Sequence, residues 1–121
     1  MSNQNQTYGK NAEEFAAQFL CQNGYEIIER NYKNRIGEID LIARNNGYLV
    51  FIEVNARLTD DFGGPAPAIT DSKQRKLMRV ALAYMTYKQI ETDARFDVLL
   101  IHGSMSAPSV ELIQNAFEMK S

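Results

Sequence analysis

One cysteine, one histidine, three prolines and no tryptophan are scattered through 121 residues. The single Cys21 excludes an internal disulfide and a cysteine-based zinc site, and it fits a reducing cytoplasm. The lone His102 supports neither a histidine-rich metal centre nor a Ser-His-Asp triad, and its place after an apolar run predicts a strand end. No apolar run approaches the ~20 residues a membrane span requires. The first residues carry no basic, apolar leader. The expectation is therefore a cytoplasmic protein without a membrane partner. A basic excess is lacking too: 13 Lys and Arg stand against 15 Asp and Glu, for a net charge of −2. The broad positive footprint common among nucleic-acid binders is absent, although a local basic patch is allowed. What remains is the composition of an ordinary globular chain, 45% hydrophobic and 23% charged, long enough for one core but not two.

The most informative stretch is Arg35 to Arg57. Two apolar-rich runs, 38–43 and 48–54, flank Asn46-Gly47. Asn-Gly between alternating runs predicts a hairpin, because a type I′ turn needs positive φ at both central residues. Counting outward pairs Asn45 with Tyr48 and Arg44 with Leu49, and places Asp40 opposite Glu53 and Glu38 opposite Asn55. Side chains alternate along a strand, so all four should share one face. Facing carboxylates repel, and the apolar neighbours imply that they are at least half-buried. A divalent cation, a raised carboxyl pKa, or neighbouring Arg35, Arg57 or Lys73 would each resolve the repulsion. The hairpin alone leaves the metal and the ion-pair network both open.

Around this hairpin the chain reads in order. Residues 1–7 are polar and are expected to form a disordered tail. Tyr8, Ala12, Phe15, Ala16, Phe19 and Leu20 make a helical stripe that Asn23-Gly24 should end. Glu13 lies at the edge of that stripe and looks toward the sheet, whereas Glu14 points to solvent; a first-turn boundary carboxylate is the plain alternative for Glu13. Residues 25–32 read as a strand. Residues 58–71, with Gly63-Gly64, Pro65 and Pro67, read as a long loop leaving the acidic strand, where it could cover a site. A helix over 72–90 follows, capped by Asp71 or Ser72, with Leu77, Val80, Ala81 and Tyr84 buried. Lys73 lies on that stripe and can reach inward. Lys73, Arg75 and Lys76 sit where cations oppose the helix dipole, a conflict that a bound phosphate or an acidic cluster would remove; solvated surface charge is the alternative. Strands over 96–101 and 110–113 complete the chain. A strand–helix–strand unit is a crossover, which predicts a parallel pair.

The helix with Glu13, GYEIIERNY (24–32), GEIDLIA (37–43), LVFIEV (49–54), Phe62-Gly63, the Lys73–Leu77 helix start, RFDV (95–98) and NAF (115–117) occur in order over residues 9–118. With them the chain resembles the YraN-like family of uncharacterised bacterial proteins, which in turn resemble restriction-endonuclease-like nucleases of the PD-(D/E)xK superfamily. The resemblance implies a restriction-endonuclease-like α/β fold over 8–118, with a mixed five-stranded sheet between helices in three αβα layers. It implies a site of Glu13, Asp40 and Glu53 holding Mg²⁺ or Mn²⁺. Position 55, where the superfamily motif has lysine, is Asn55, which carries no charge and puts hydrolysis in question. Lys73, Arg57 and Arg35 are the candidate substitutes. Arg35, Arg57, Lys73 and Lys76 would contact nucleic acid, most simply DNA of branched or otherwise structured form. A homodimer is implied by the resemblance alone.

Overall fold

In a computed structural model, which describes residues 2–57, 69–104 and 106–118, two helices sandwich a single sheet. The elements are α1 (Ser2–Gln22), β1 (Glu26–Lys33), β2 (Glu38–Asn45), β3 (Tyr48–Arg57), α2 (Asp71–Lys88), β4 (Ala94–His102) and β5 (Ser109–Phe117). The sheet is five-stranded in the order β1-β2-β3-β4-β5. β1, β2 and β3 form an antiparallel meander, β4 lies parallel to β3 across the α2 crossover, and β5 returns antiparallel. This is the mixed, three-layer α/β arrangement of a restriction-endonuclease-like fold.

The one domain expected carries not a single core but two apolar clusters, one on each face of the sheet, because helices cover both faces. Ala12, Ala16 and Leu20 of α1 pack on Leu41, Ala43, Val50, Ile52, Leu99 and Ile101. Leu77, Val80, Ala81 and Tyr84 of α2 pack on Ile42, Leu49, Phe51 and Phe96 on the opposite face. The alternation of a pleated strand divides β3 between them: Val50, Ile52 and Val54 turn to α1, and Leu49 and Phe51 to α2. Phe96 through Ile101 of β4 are all buried, as a near-continuous apolar run between two helical layers requires.

Local details depart from the sequence expectation in three places. The first helix begins at Ser2 rather than Tyr8, so residues 2–7 are helical and not a disordered tail; extending an existing helix adds one hydrogen bond per residue without a new nucleus. The cap of α2 is Thr70, not Asp71 or Ser72: its extended backbone (φ −63°, ψ 156°) lets the hydroxyl accept the Lys73 N–H at 3.2 Å. At its other end α2 stops without glycine, on Gln89 in the left-handed conformation, ahead of the expected Ile90. The loop expected over 58–71 lies, for 58–68, outside the described residues.

Candidate metal and phosphate cleft

The hairpin turn is as read: Asn46 and Gly47 have φ of 50° and 84°, and Asn45 pairs with Tyr48. The register runs without a slip to Leu41 opposite Ile52, and there the ladder ends. Asp40 would come next, opposite Glu53. Instead its carboxylate Oδ2 accepts the Val54 N–H at 2.8 Å, so a side chain takes a place in the ladder that backbone would fill. Beyond this point β2 keeps only β1 as a partner, through Tyr32↔Ile39 and Lys33↔Glu38. β3 keeps only β4, through to Arg57↔His102. The sheet forks, and Asp40 sits in the crotch.

Two neighbouring irregularities accompany the fork. Ile39 and Ile42, which strict alternation would place on opposite faces, both pack in the core beneath α2. Asn31, between the pairs Arg30↔Leu41 and Tyr32↔Ile39, has φ 51°. Its amide reaches Glu13 Oε2 at 3.4 Å. Glu13 is therefore attached to the sheet edge from α1, while Glu14 forms an exposed pair with Arg30.

On the α2 side the fork opens into a cleft of about 410 Å³, lined by Glu38, Asp40, Glu53, Thr70, Ser72, Lys73, Lys76 and Leu77. Two elements meet here for simple reasons. β2 and β3 bring their carboxylates to one face by hairpin register, and the first turns of α2 bring lysines on the stripe that also carries Leu77. Lys73 Nζ lies 2.7 Å from Glu53 Oε1, with the lysine side chain 48% exposed and the glutamate only 13%. Lys76 crosses the β1–β2 turn: a Cβ built on Gly37 would meet its Cε at 3.0 Å. The glycine leaves room for that aliphatic stem. Glu38, at the mouth, is 3.7 Å from Lys33 in a well-solvated pair.

Burial pushes the Asp40 carboxyl up to about 6, and the charge of Glu53 adds to the shift; the Val54 N–H works against it, and Glu13 and Glu38 contribute from farther away. Asp40 thus resists ionisation first because it is buried and then because Glu53 shares its confined space. A hard cation would relieve that resistance, and an oxygen donor set of one or two carboxylates completed by waters suits Mg²⁺ or Mn²⁺. No three His, Cys, Asp or Glu side chains among the described residues converge into a ready-made metal cage. Asp40 and Glu53 are the pair the fold brings together. Glu13 acts on Asp40 through its field from outside the cleft lining.

Other expected site residues are spread more widely. Asn55 shares the face of Glu53 by alternation but pairs with Leu100 and does not line the cleft. Arg57 closes β3 opposite His102, and Arg35 is exposed in the turn between β1 and β2; neither is among the lining residues. A larger concavity of about 700 Å³ at the far end of α2 is lined by Leu82, Met85 and Ile90 with the exposed carboxylates Glu91 and Asp93. No lysine or arginine is among those lining residues and no carboxylate there is buried, so the forked end is the chemically distinctive one.

Residues 12–101 match the family described as Uncharacterised protein family UPF0102. The chain belongs to this family. A UPF0102 protein of Desulfosudis oleivorans is 47% identical over 119 residues, covering 98% of this chain and 95% of the relative. One from Geobacter metallireducens is 40% identical over 120 residues, covering 98% of each. The UPF0102 match spans the hairpin, both cleft lysines and β4 up to Ile101, and thus the strands that fork, and it ends before β5.

A second polar constellation went unread in the sequence. Arg95 and Asp97, 8% and 1% exposed, face α1 on β4. Arg95 donates to both carboxylate oxygens of Asp97 at 2.9 and 2.8 Å and to Asn45 Oδ1 at 2.8 Å. The Tyr25 hydroxyl donates to Asp97 at 2.6 Å, and Gln114 donates to that hydroxyl at 2.9 Å. Asp97 also accepts the Asn115 N–H at 2.9 Å, where the β4–β5 register shifts. Every polar group named here is satisfied, and the network ties the strands β2, β4 and β5 and the α1–β1 turn together. The signal for it was Arg-x-Asp inside an otherwise apolar strand.

Proposed function

We propose that this UPF0102 protein binds nucleic acid at the forked end of its sheet and is a metal-dependent phosphodiesterase acting on structured DNA. Asp40 and Glu53 would hold Mg²⁺ or Mn²⁺, and Lys73 and Lys76 would hold the phosphate. The observation that carries the reading is the shared cleft: Asp40, raised by burial and by the charge of Glu53, beside that second carboxylate and rimmed by lysines at the start of α2. A cation bound there supplies Lewis acidity toward a phosphodiester oxygen and a more acidic water. The protein's own side chains then have separate tasks. Asp40 and Glu53 fix the cation, Lys76 meets the diester backbone over Gly37, and Arg35 and Arg57 extend the basic path on either side. Asn55 is able to hydrogen-bond a water but not to stabilise developing negative charge. The lone, exposed Cys21 fits a cytoplasmic setting. Pairing of two copies is a proposal from the resemblance alone, and sedimentation tests it.

A second reading has its own observation. With Asn55 neutral and Lys73 engaged by Glu53, the cleft is suited to bind without cutting. Removing one preorganised electrostatic group typically lowers a rate by ~10²–10³. The deciding experiment incubates the full chain with a branched DNA duplex and Mg²⁺, alongside Glu53→Ala. Cleavage that disappears in the variant supports the enzyme. Salt-sensitive binding with no cleavage supports the binding module. Cleavage unchanged in Glu53→Ala overturns the metal site, and binding indifferent to ionic strength overturns both readings.

A further inference from the structure

We propose that Lys73 supplies, from the helix, the positive charge that position 55 lacks on the strand. It serves as the resident counter-ion of Glu53 until a divalent cation takes the carboxylates, and it then turns its charge to the phosphate. This inference rests on reading the cleft as a cation site.

Position 55 lies two residues beyond Glu53 on the same face, about 6.6 Å along the strand, so a lysine there would project beside the acidic pair. The residue is asparagine. Across the cleft, from another layer of the fold, Lys73 Nζ already stands 2.7 Å from Glu53 Oε1. The other ion pair at this end, Lys33 with Glu38, lies at the solvated mouth with both side chains more than half exposed. Among the described ion pairs, Lys73 alone engages the inner carboxylates.

Position and exposure favour an exchange of partners. Lys73 sits in the first turn of α2, where the helix dipole disfavours an ammonium unless an anion compensates it. Glu53 provides that compensation now, and a phosphate at the same helix end would provide it equally well. The glutamate is held by the strand and nearly buried, whereas about half of the lysine side chain is in solvent. A cation arriving at Asp40 and Glu53 therefore displaces the ammonium, and the ammonium moves rather than the carboxylate. Lys73 and a divalent cation compete for one oxygen set, so removal of the lysine must strengthen cation binding even as it weakens phosphate binding. A lysine with only a structural role would produce no such opposite pair of effects.

The test is calorimetric titration of the full chain with Mn²⁺ at low salt, for wild type, Lys73→Met, Lys73→Arg and Asp40→Asn. Inorganic phosphate is then titrated into the Mn²⁺-loaded protein. Lys73→Met should bind Mn²⁺ roughly tenfold tighter, the lower end of what one displaced charge is worth in a partly solvated cleft. It should bind phosphate severalfold more weakly. Lys73→Arg should keep the wild-type pattern, and Asp40→Asn should lose Mn²⁺. Equal Mn²⁺ affinity in wild type and a cooperatively folded Lys73→Met overturns this inference and leaves the cation site standing. Tighter Mn²⁺ with unchanged phosphate affinity overturns the transfer of charge. Failure of all four proteins to bind Mn²⁺ at millimolar concentration overturns the cation site and this inference together.

Discussion

Replacing Asp40 by Asn removes a charge from the fork and keeps its shape, since the amide oxygen still accepts the Val54 N–H. In the folded protein the Asp40 carboxyl is raised from 3.8 to about 6, chiefly by burial and then by Glu53. A carboxyl raised on folding is stabilising only while it holds its proton. Its contribution is complete below about pH 4 and is lost as pH rises through 6. At about pH 7.5 the ionised group costs roughly 3 kcal/mol, from a shift near two units at 1.36 kcal/mol each. Asp40→Asn should therefore be more stable than wild type by up to about 3 kcal/mol near pH 7.5, or roughly 10 °C in Tm for a chain of this length. The gap should shrink between pH 6 and pH 4 and vanish below. Paired thermal or urea melts of the two proteins across that range measure it, in buffers treated with chelator. A gap absent at pH 7.5, or one that persists unchanged at pH 4, refutes the electrostatic account of the fork.

Two further outcomes are expected. Gly37→Ala should cost under about 1 kcal/mol of stability, because the atom its Cβ meets at 3.0 Å is the flexible end of Lys76; DNA affinity should nonetheless fall severalfold as that side chain is displaced, and unchanged affinity would separate Lys76 from binding. Asp97→Asn should cost about 3–5 kcal/mol in urea unfolding by leaving the buried Arg95 guanidinium uncompensated, and a loss under about 1 kcal/mol would show that the network is not a paired buried charge.

How much of this was legible in the sequence depends on distance along the chain. The hairpin was readable because Asn46-Gly47 admits few turn geometries and the register then follows by counting. That Asp40 and Glu53 line one cleft, though not as the opposed pair that counting gave, and that Lys73 reaches inward, follow from the same local periodicities. The fork was not readable: counting predicts a continued ladder, and only coordinates reveal that the Asp40 carboxylate, not its backbone, meets Val54. For Glu13 periodicity fixes a direction and not a depth: its oxygen reaches Asn31 at the sheet edge and the residue lies outside the cleft lining. Asn45 was counted only as a rung beside the turn. Its role as acceptor for Arg95 depends on a partner fifty residues away, which no local pattern encodes. Thr70, Asp71 and Ser72 are all good capping types, so composition alone did not choose among them.

The way Asp40 is fastened has a consequence for ion selectivity. One of its two oxygens, Oδ2, is committed to a peptide N–H, which leaves the other as the natural donor toward the cleft. A cation entering there meets a monodentate carboxylate rather than a chelating one. Small octahedral ions that retain much of their hydration shell accept such terms readily, whereas calcium, which favours seven or eight oxygens and bidentate grips, does not. If the proposed cation binds there, the same bond that splits the strands would bias the cleft toward the magnesium-sized ions.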